Sequence, residues 1–237
     1  MSTNFISYMN SAAEQYGIKL SDMQLAQFDK YFQMLIEWNE KINLTAITDP
    51  QEVAVKHMID SLSAWRGDIF KPGAFVIDVG TGAGFPGMVI ALLFKNAKVT
   101  LIESNQKKCQ FLKHIKETFY LKNVTIICSR IEEYGIKNRE IFDIVTCRAV
   151  TSIPIIIELA TSIVKVGGVL APLKSNCLDE LNDASLYKEF HLKLVDVYKY
   201  NLPIQNSKRT IPVFKKNDIT DKKYPRNYSS IVKKYKK

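Results

Sequence analysis

The sequence predicts an α/β fold in which a mostly parallel sheet of seven strands follows an N-terminal helical extension. Strand-like and helix-like segments alternate between residues 74 and 173, which is typical of a parallel sheet covered by helices on both faces. Before residue 70, apolar residues recur at helical spacing. The turn Lys71-Pro72-Gly73 separates these regions. We therefore predict a helical extension over residues 1–70, a Rossmann-like domain over 71–214 and a basic tail over 215–237.

The extension is predicted to contain three helices. The first covers residues 5–16. The second begins behind the N-cap residue Ser21 and continues to about Lys41, because its apolar residues share one helical face: Leu25, Phe28, Phe32, Leu35 and Ile36. The third begins at Asp49-Pro50, since proline is tolerated in the first turn of a helix, and continues to about Ser63.

The sheet domain is predicted from short apolar segments with helices between them. The strands cover residues 74–79, 98–103, 123–128, 142–147, 168–173, 190–200 and 209–214. The helices cover residues 86–95, 105–120 and 153–164. The last two strands follow each other as in a hairpin. Because parallel sheets of this kind bind ligands at the carboxyl ends of their strands, the site residues are expected there.

A glycine-rich run from Asp78 to Gly87 connects the first strand to the next helix. Glycine adopts positive φ and carries no Cβ, so a ligand can approach the backbone beside the helix N-terminus. Gly82-x-Gly84-x-x-Gly87 fits the dinucleotide fingerprint, which is weak evidence alone. Asp78-x-Gly80-x-Gly82-x-Gly84 instead places a carboxylate at the strand end, where it would repel a pyrophosphate. That acid suits the ammonium and sulfonium groups of S-adenosylmethionine, which we predict as the cofactor.

Acidic residues also follow the second and third strands. Glu103 ends the second strand, at the spacing where an acid binds the two ribose hydroxyls of an adenosine. In Ser129-Arg130-Ile131-Glu132, Ile131 could pack against the adenine and Glu132 could accept from its amino group. These three residues complete the predicted adenosine site.

Four further residues lie where substrate chemistry is expected. Arg148 ends the fourth strand and would hold a phosphate or the methionine carboxylate, unless it forms only a salt bridge. His57 and Asp60 share a helix face, at the substrate mouth or in a structural hydrogen bond. Cys147 could be the nucleophile of a pyrimidine C5 methyltransferase, but a cysteine in an apolar strand is more often a core residue. We assign no catalytic residue and take His57, Asp60 and Arg148 as positioning candidates.

The net charge of +9 arises entirely from the C-terminal end of the chain. Residues 1–207 contain 22 Lys and Arg against 22 Asp and Glu, whereas residues 208–237 contain eleven against two. With tyrosines between the basic residues, this tail suits a phosphate backbone and exposed bases. A disordered tail that only aids solubility is the alternative. The RNA-binding candidates are Lys174, Arg209, Lys222, Lys223 and Arg226.

Membrane, secreted and metal-binding proteins are not indicated. The longest apolar run, Met88–Phe94, has seven residues and is too short to span a bilayer. The first five residues lack the basic and apolar regions of a signal peptide. The four cysteines lie at least 19 residues apart, without the spacing of a metal site. We expect a cytoplasmic monomer with no metal and no membrane partner.

Five motifs in this chain resemble one family. They are Trp38-Asn39-x-Lys41-Ile42-Asn43-Leu44-Thr45, His57-x-x-Asp60-Ser61-Leu62, the run from Asp78 to Gly87, Ser129-Arg130-x-Glu132 and Arg148-Ala149. On this resemblance the chain is identified as a member of the small-subunit ribosomal RNA methyltransferase G family, also called glucose-inhibited division protein B. The resemblance implies a class I S-adenosylmethionine-dependent methyltransferase fold and methylation of guanine N7 in the 530 loop of bacterial 16S rRNA, within the small ribosomal subunit.

The same resemblance assigns residues. It places the cofactor contacts at Gly80, Phe85, Ile131, Glu132 and Arg148. The family signature Lys223-Tyr224-Pro225-Arg226 is present, but the residues from Asn227 onward depart from the usual basic, glycine-containing continuation.

The implied reaction agrees with the lack of a predicted catalytic base. Guanine N7 is an unprotonated lone pair, so its methylation is a direct displacement that removes no proton. Alignment of N7, the methyl carbon and sulfur can contribute about 7–11 kcal/mol. Two alternatives stay open: a nicotinamide-dependent oxidoreductase that uses Gly82-x-Gly84-x-x-Gly87, and a non-catalytic RNA-binding or ribosome assembly factor.

Overall fold

The N-terminal helices form as their caps predict. The computed structural model describes residues 3–63, 65, 68–204 and 206–235. Helix α1 covers Thr3–Gln15 and α2 covers Asp22–Asn39. The Ser21 hydroxyl accepts from the backbone N–H of Gln24, and the Gln24 side chain accepts from the backbone N–H of Ser21. This reciprocal capping box fixes the start of α2 at the predicted residue.

The third helical segment contains a π-helical section. Asp49 caps α3 (Pro50–Val53), which continues through the π-helical residues Ala54–Ile59 into α4 (Asp60–Ser63). A π-helical turn widens the helix locally and often marks a functional site. His57 lies on this section and Asp60 follows it directly as the first residue of α4, so both residues lie at the irregularity.

The sheet has seven strands, which confirms the predicted fold class. They are β1 (Phe75–Val79), β2 (Lys98–Glu103), β3 (Val124–Cys128), β4 (Phe142–Arg148), β5 (Val164–Leu173), β6 (Leu192–Asn201) and β7 (Lys208–Lys216). Their spatial order is β3-β2-β1-β4-β5-β7-β6, with β7 antiparallel to both of its neighbours and the other pairs parallel. The chain leaves β1 toward β3 and returns to β4 on the other side of β1. The carboxyl ends of β1 and β4 therefore border the crevice where such sheets bind ligands.

Helices cover both faces of the sheet. The predicted helices correspond to α5 (Gly87–Leu93), α6 (Gln106–Thr118) and α8 (Ile153–Ala160). The structure adds α7 (Ile131–Lys137), α9 (Ala184–Glu189) and α10 (Tyr228–Tyr235), which the sequence analysis did not predict.

Two apolar cores lie on opposite faces of the sheet. One core joins the extension to α5 and α6, and it includes Phe5, Tyr31, Met88 and Phe111. The other lies under α8 and includes Ile156 and Phe214. Because the first core contains residues from both predicted units, the extension packs as part of the same body; the division at residue 71 stays a prediction.

The C-terminal segment is ordered in the part that the structure describes, so the disordered-tail alternative is wrong there; Lys236 and Lys237 lie outside it. Strand β7 continues past the predicted boundary at residue 214. The Lys216 ammonium is wholly buried and donates to Glu140 and to the carbonyl oxygens of Thr161 and Val164, at 2.7–2.8 Å. Arg139 donates to the carbonyl oxygens of Thr220 and Tyr224. These contacts hold the segment against the sheet domain.

Candidate cofactor site and basic pocket

The glycine turn has backbone conformations that favour glycine. Gly80, Gly82 and Gly84 have φ values of +65°, +60° and +97°. A Cβ at Gly84 would collide with the hydroxyl of Tyr31 and the Cβ of Met88. That hydroxyl donates to the carbonyl oxygen of Ala83 at 2.6 Å. The extension therefore holds the turn directly, through α2.

Asp78 lies at the end of β1 with its carboxylate completely buried. Oδ2 accepts from the hydroxyl of Thr81 at 2.6 Å and from the N–H of Gly87 at 2.8 Å. Oδ1 is buried and has no hydrogen-bond partner among the described residues. Burial raises the pKa of Asp78 to about 7, against the lowering effects of these bonds and of Arg148. A buried acceptor without a donor needs an explanation, and the ammonium group of a ligand would supply one.

Glu103 connects β2 to the glycine turn. Its Oε2 accepts from the N–H of Gly82 at 3.0 Å, and its Oε1 accepts from the N–H of Asn105 at 2.8 Å. An ionised carboxylate has about four acceptor positions, so these bonds leave capacity for hydroxyl donors. The structure fits the predicted role toward a ribose, which stays a prediction.

A pocket of about 160 Å³, here called the turn pocket, lies beside the glycine turn. It brings together the predicted residues Gly80, which follows β1, and Ile131 and Glu132, which follow β3. Val150, Leu159 and Tyr228 are among the lining residues that were not predicted from the sequence. The tyrosines of the basic tail did indicate a binding role for Tyr228, but the predicted role was a contact with RNA bases.

Phe85 lies at the centre of an aromatic stack. Its ring lies 4.5 Å from the His57 ring, nearly parallel at 20°, and 5.7 Å from the Tyr31 ring at 17°. The Arg148 guanidinium lies 5.2 Å from the Phe85 centroid. These contacts orient His57 and Arg148, whereas a contact of Phe85 with the cofactor stays a prediction.

A second pocket of about 310 Å³, here called the basic pocket, lies between the extension and the ends of β4, β5 and β7. It collects the three positioning candidates His57, Asp60 and Arg148, together with Lys56, Lys174 and Arg209. Asp60 accepts from the Tyr200 hydroxyl at 2.9 Å, from Arg209 Nε at 3.2 Å and from Arg148 at 3.4 Å. One buried carboxylate therefore holds two guanidinium groups at the pocket.

The hydrogen bonds of His57 determine its tautomer. Arg148 can only donate, so His57 Nδ1, 3.0 Å from the guanidinium, must accept. The proton then lies on Nε2, which donates to the Thr45 hydroxyl oxygen at 2.8 Å. Burial, with Arg148 nearby, lowers the pKa of His57 to about 3. His57 is therefore neutral at physiological pH, with both ring nitrogens already engaged.

Cys147 packs in the core under α8 and is almost fully buried. Burial raises the pKa of its thiol, and nearby Asp78 raises it further. Because the thiolate is the nucleophilic form, this environment favours the core interpretation. Among the residues that the structure describes, no cluster of three or more His, Cys, Asp or Glu could hold a metal ion.

The RNA-binding candidates occupy different environments. Lys174 donates to the Thr151 carbonyl oxygen at 2.8 Å and pairs with Glu180 at 3.3 Å. Arg226 makes a bidentate pair with the wholly buried Glu158, at 2.6 and 2.7 Å, so its observed role is structural. Lys222 and Lys223 are exposed. Lys174 and Arg209 line the basic pocket, and RNA binding by all five stays a prediction.

Comparison with known proteins places this site in a family. The family model described as GidB, rRNA small subunit methyltransferase G, matches residues 24–209. The chain belongs to this family. It is 42% identical to ribosomal RNA small subunit methyltransferase G of Lysinibacillus sphaericus over 91% of this chain and 92% of that protein. It is 41% identical to the protein of the same name from Clostridium beijerinckii, over 97% and 98% of the two chains.

Solved structures of low sequence identity share the fold. TYW2 of M. jannaschii, solved in complex with AdoMet, has a TM-score of 0.52 at 16% identity, covering 67% of this chain and 74% of that one. A SAM-dependent methyltransferase from Aquifex aeolicus has a TM-score of 0.50 at 16% identity, covering 70% and 93%. These neighbours show the fold, and membership of a methyltransferase family supports S-adenosylmethionine as the cofactor. None of the described helices is long and apolar enough to cross a membrane.

Proposed function

We propose that this protein transfers the methyl group of S-adenosylmethionine to guanine N7 in the 530 loop of 16S rRNA. The observation that carries the proposal is the position of the two pockets. Ala149 lines the basic pocket, and its neighbour Val150 lines the turn pocket above Gly80. A cofactor bound along the glycine turn and a nucleotide in the basic pocket would be separated only by this short loop.

The residues of the cofactor site have separate roles in this proposal. Asp78 would hold the ammonium group, Glu103 the ribose hydroxyls, and Ile131 with Glu132 the adenine. The bound cofactor supplies an electrophilic methyl group on a sulfonium. The glycine turn keeps side chains away from that group, and Tyr31 keeps the turn in place from the other side.

The basic pocket favours an acceptor that needs no deprotonation. His57 has one ring nitrogen accepting from Arg148 and the other donating to Thr45. Asp60 is occupied by three donors. Neither residue is placed as a free general base, which suits the N7 lone pair because its methylation removes no proton.

The arginines of the basic pocket could recognise the base. A guanidinium has five N–H donors, and Arg209 directs only Nε to Asp60 and one terminal nitrogen to the Lys208 carbonyl oxygen. Donors therefore remain for an acceptor such as guanine O6 or an RNA phosphate. Exposed lysines at positions 222, 223, 233 and 234 add positive charge for the RNA backbone. We propose that the protein acts on the rRNA of the small ribosomal subunit as a cytoplasmic monomer.

The proposal is tested by mapping methylated nucleotides in rRNA from cells with and without the gene, using mass spectrometry. We expect loss of one N7-methylguanine from the 530 loop and its restoration by the purified protein with labelled S-adenosylmethionine. Transfer to another base would contradict the site assignment. Absence of any transferred methyl would favour the non-catalytic assembly factor, and tight NAD binding without S-adenosylhomocysteine binding would favour the oxidoreductase.

A further inference from the structure

Helix α10 brings an aromatic ring to the turn pocket. Tyr228 lines this pocket together with Gly80, Ile131 and Glu132, although it lies in the C-terminal segment. The Tyr228 residue is 40% exposed. The pocket therefore has an aliphatic wall, a carboxylate and an aromatic ring that is still partly open to solvent.

Several contacts hold Tyr228 in this position. The pair between Arg226 and buried Glu158 attaches the chain to α8 two residues earlier. Asn227 caps α10, because its Oδ1 accepts from the N–H of Ser230 at 2.9 Å. Ile231, three residues after Tyr228 and on the same helix face, is fully buried against α8. Contacts of the residues just before and just after Tyr228 therefore fix the position of its ring.

Helix α8 contacts α10 and also lines the turn pocket. Leu159 of α8 packs against Ile231 and lines the turn pocket as well. A change in the docking of α10 would therefore alter a wall of the pocket. The C-terminal segment belongs to the same structural unit as the residues predicted to bind the cofactor.

We propose that Tyr228 stacks against the adenine of S-adenosylmethionine and completes the adenosine site, an inference that rests on the cofactor of the proposed function. At about 160 Å³ the turn pocket is smaller than the roughly 300–1,000 Å³ of a pocket for a whole ligand, so it suits one planar part of the cofactor. Aromatic rings bind bases by stacking, because every base presents a π-face. Ile131 and Leu159 supply apolar contacts, and Glu132 can accept from the adenine amino group.

Titration calorimetry of the full chain with S-adenosylhomocysteine tests this role. We expect Tyr228→Ala to weaken binding by about 5- to 150-fold, the range that loss of one stacked base predicts. Tyr228→Phe keeps the ring and should stay within about threefold of wild type. Tyr120→Ala is the matched control, since Tyr120 is 86% exposed between α6 and the amino end of β3, whereas the turn pocket lies at the carboxyl ends of the strands. Binding by Tyr228→Ala within twofold of wild type would overturn the proposal.

If Tyr228→Ala folds poorly, a fluorescence titration tests whether residue 228 stacks on the adenine. In Tyr228→Trp, titration with 5′-methylthioadenosine should change the indole emission as strongly as S-adenosylhomocysteine does, and methionine should not change it. The same titrations of the wild-type protein measure the change in emission from Trp38 and Trp65 alone. Unchanged emission of Tyr228→Trp at saturating S-adenosylhomocysteine would refute stacking. Failure of the wild type to bind S-adenosylhomocysteine would instead refute the cofactor assignment.

Discussion

We predict that the buried carboxylate of Asp78 makes cofactor affinity dependent on pH. Its pKa is raised from an ordinary value of 3.8 to about 7, mainly by burial. A difference of about three pH units corresponds to about 4 kcal/mol in favour of the neutral form. Because Oδ1 has no donor among the described residues, the ionised form lacks a partner in the free protein. The ammonium group of the cofactor would supply this partner.

The direction of this pH dependence follows from the raised pKa of Asp78. With a pKa raised in the folded state, Asp78 stabilises the free protein fully below pH 3.8, and this contribution is lost as the pH rises to about 7. Binding of an ammonium group requires the ionised form, so affinity should be highest above pH 7. Below pH 7 it should fall about tenfold per pH unit. His57, with a pKa of about 3, does not titrate in this range.

Calorimetry with S-adenosylhomocysteine between pH 5.5 and 8.5 measures this dependence. At pH 7, repeating the titration in buffers with different ionisation enthalpies should show release of about half a proton. Asp78→Asn should bind more weakly at pH 8 and lose the pH dependence, while the acceptor for Thr81 and Gly87 remains. A wild-type affinity that stays constant from pH 8 to pH 6, or a slope that persists in Asp78→Asn, would refute the reasoning.

Three other predictions concern stability and activity. Arg226→Ala leaves Glu158 buried without its partner and should lower the free energy of unfolding by about 3 kcal/mol in urea denaturation. Lys223→Ala removes an exposed pair and should lower it by less than about 1 kcal/mol. Equal losses in the two variants would contradict the role of the buried pair. Since His57 stays neutral when folded, its contribution to stability is present above pH 6.5 and lost as the pH falls toward 3; at pH 5 this loss should be about 2 kcal/mol and absent in His57→Gln. An identical acid sensitivity of both proteins would exclude this explanation. Cys147→Ala should retain methyl transfer to rRNA within about threefold, and complete loss in a folded variant that binds cofactor would support a nucleophilic thiol instead.

Local patterns made much of the fold predictable. The start of α2 depends on Ser21 and Gln24, and the turn after β1 depends on glycines with positive φ, so both are encoded within a few residues. Helices α7 and α9 have seven and six residues, too few to show a clear period. The hairpin order of the last two strands was correct, but β7 lies between β5 and β6. Which strand pairs with which depends on distant segments that a local pattern does not contain.

The candidate site could also be predicted only in part from the sequence. Asp78, Glu103 and Glu132 could be found because each lies at or shortly after the carboxyl end of a strand. The pairing of Asp60 with Arg209 joins residues 149 positions apart, and the contact of Tyr228 with the turn pocket joins the tail to the first strand. Charge counting also treated Lys216 as part of a basic surface, although it is buried with Glu140. Such contacts depend on tertiary packing, which composition does not show.

The stack of Tyr31, Phe85 and His57 limits how this protein can be cut or recombined. A fragment starting at residue 71 would expose Phe85 and Phe111 and would lose the hydroxyl that holds Ala83. Grafting another helical module onto the sheet would require matching aromatic surfaces on both sides of Phe85. The smallest fragment able to transfer a methyl group should therefore include α2, and exchanges between homologues should keep α2 to α5 from one parent.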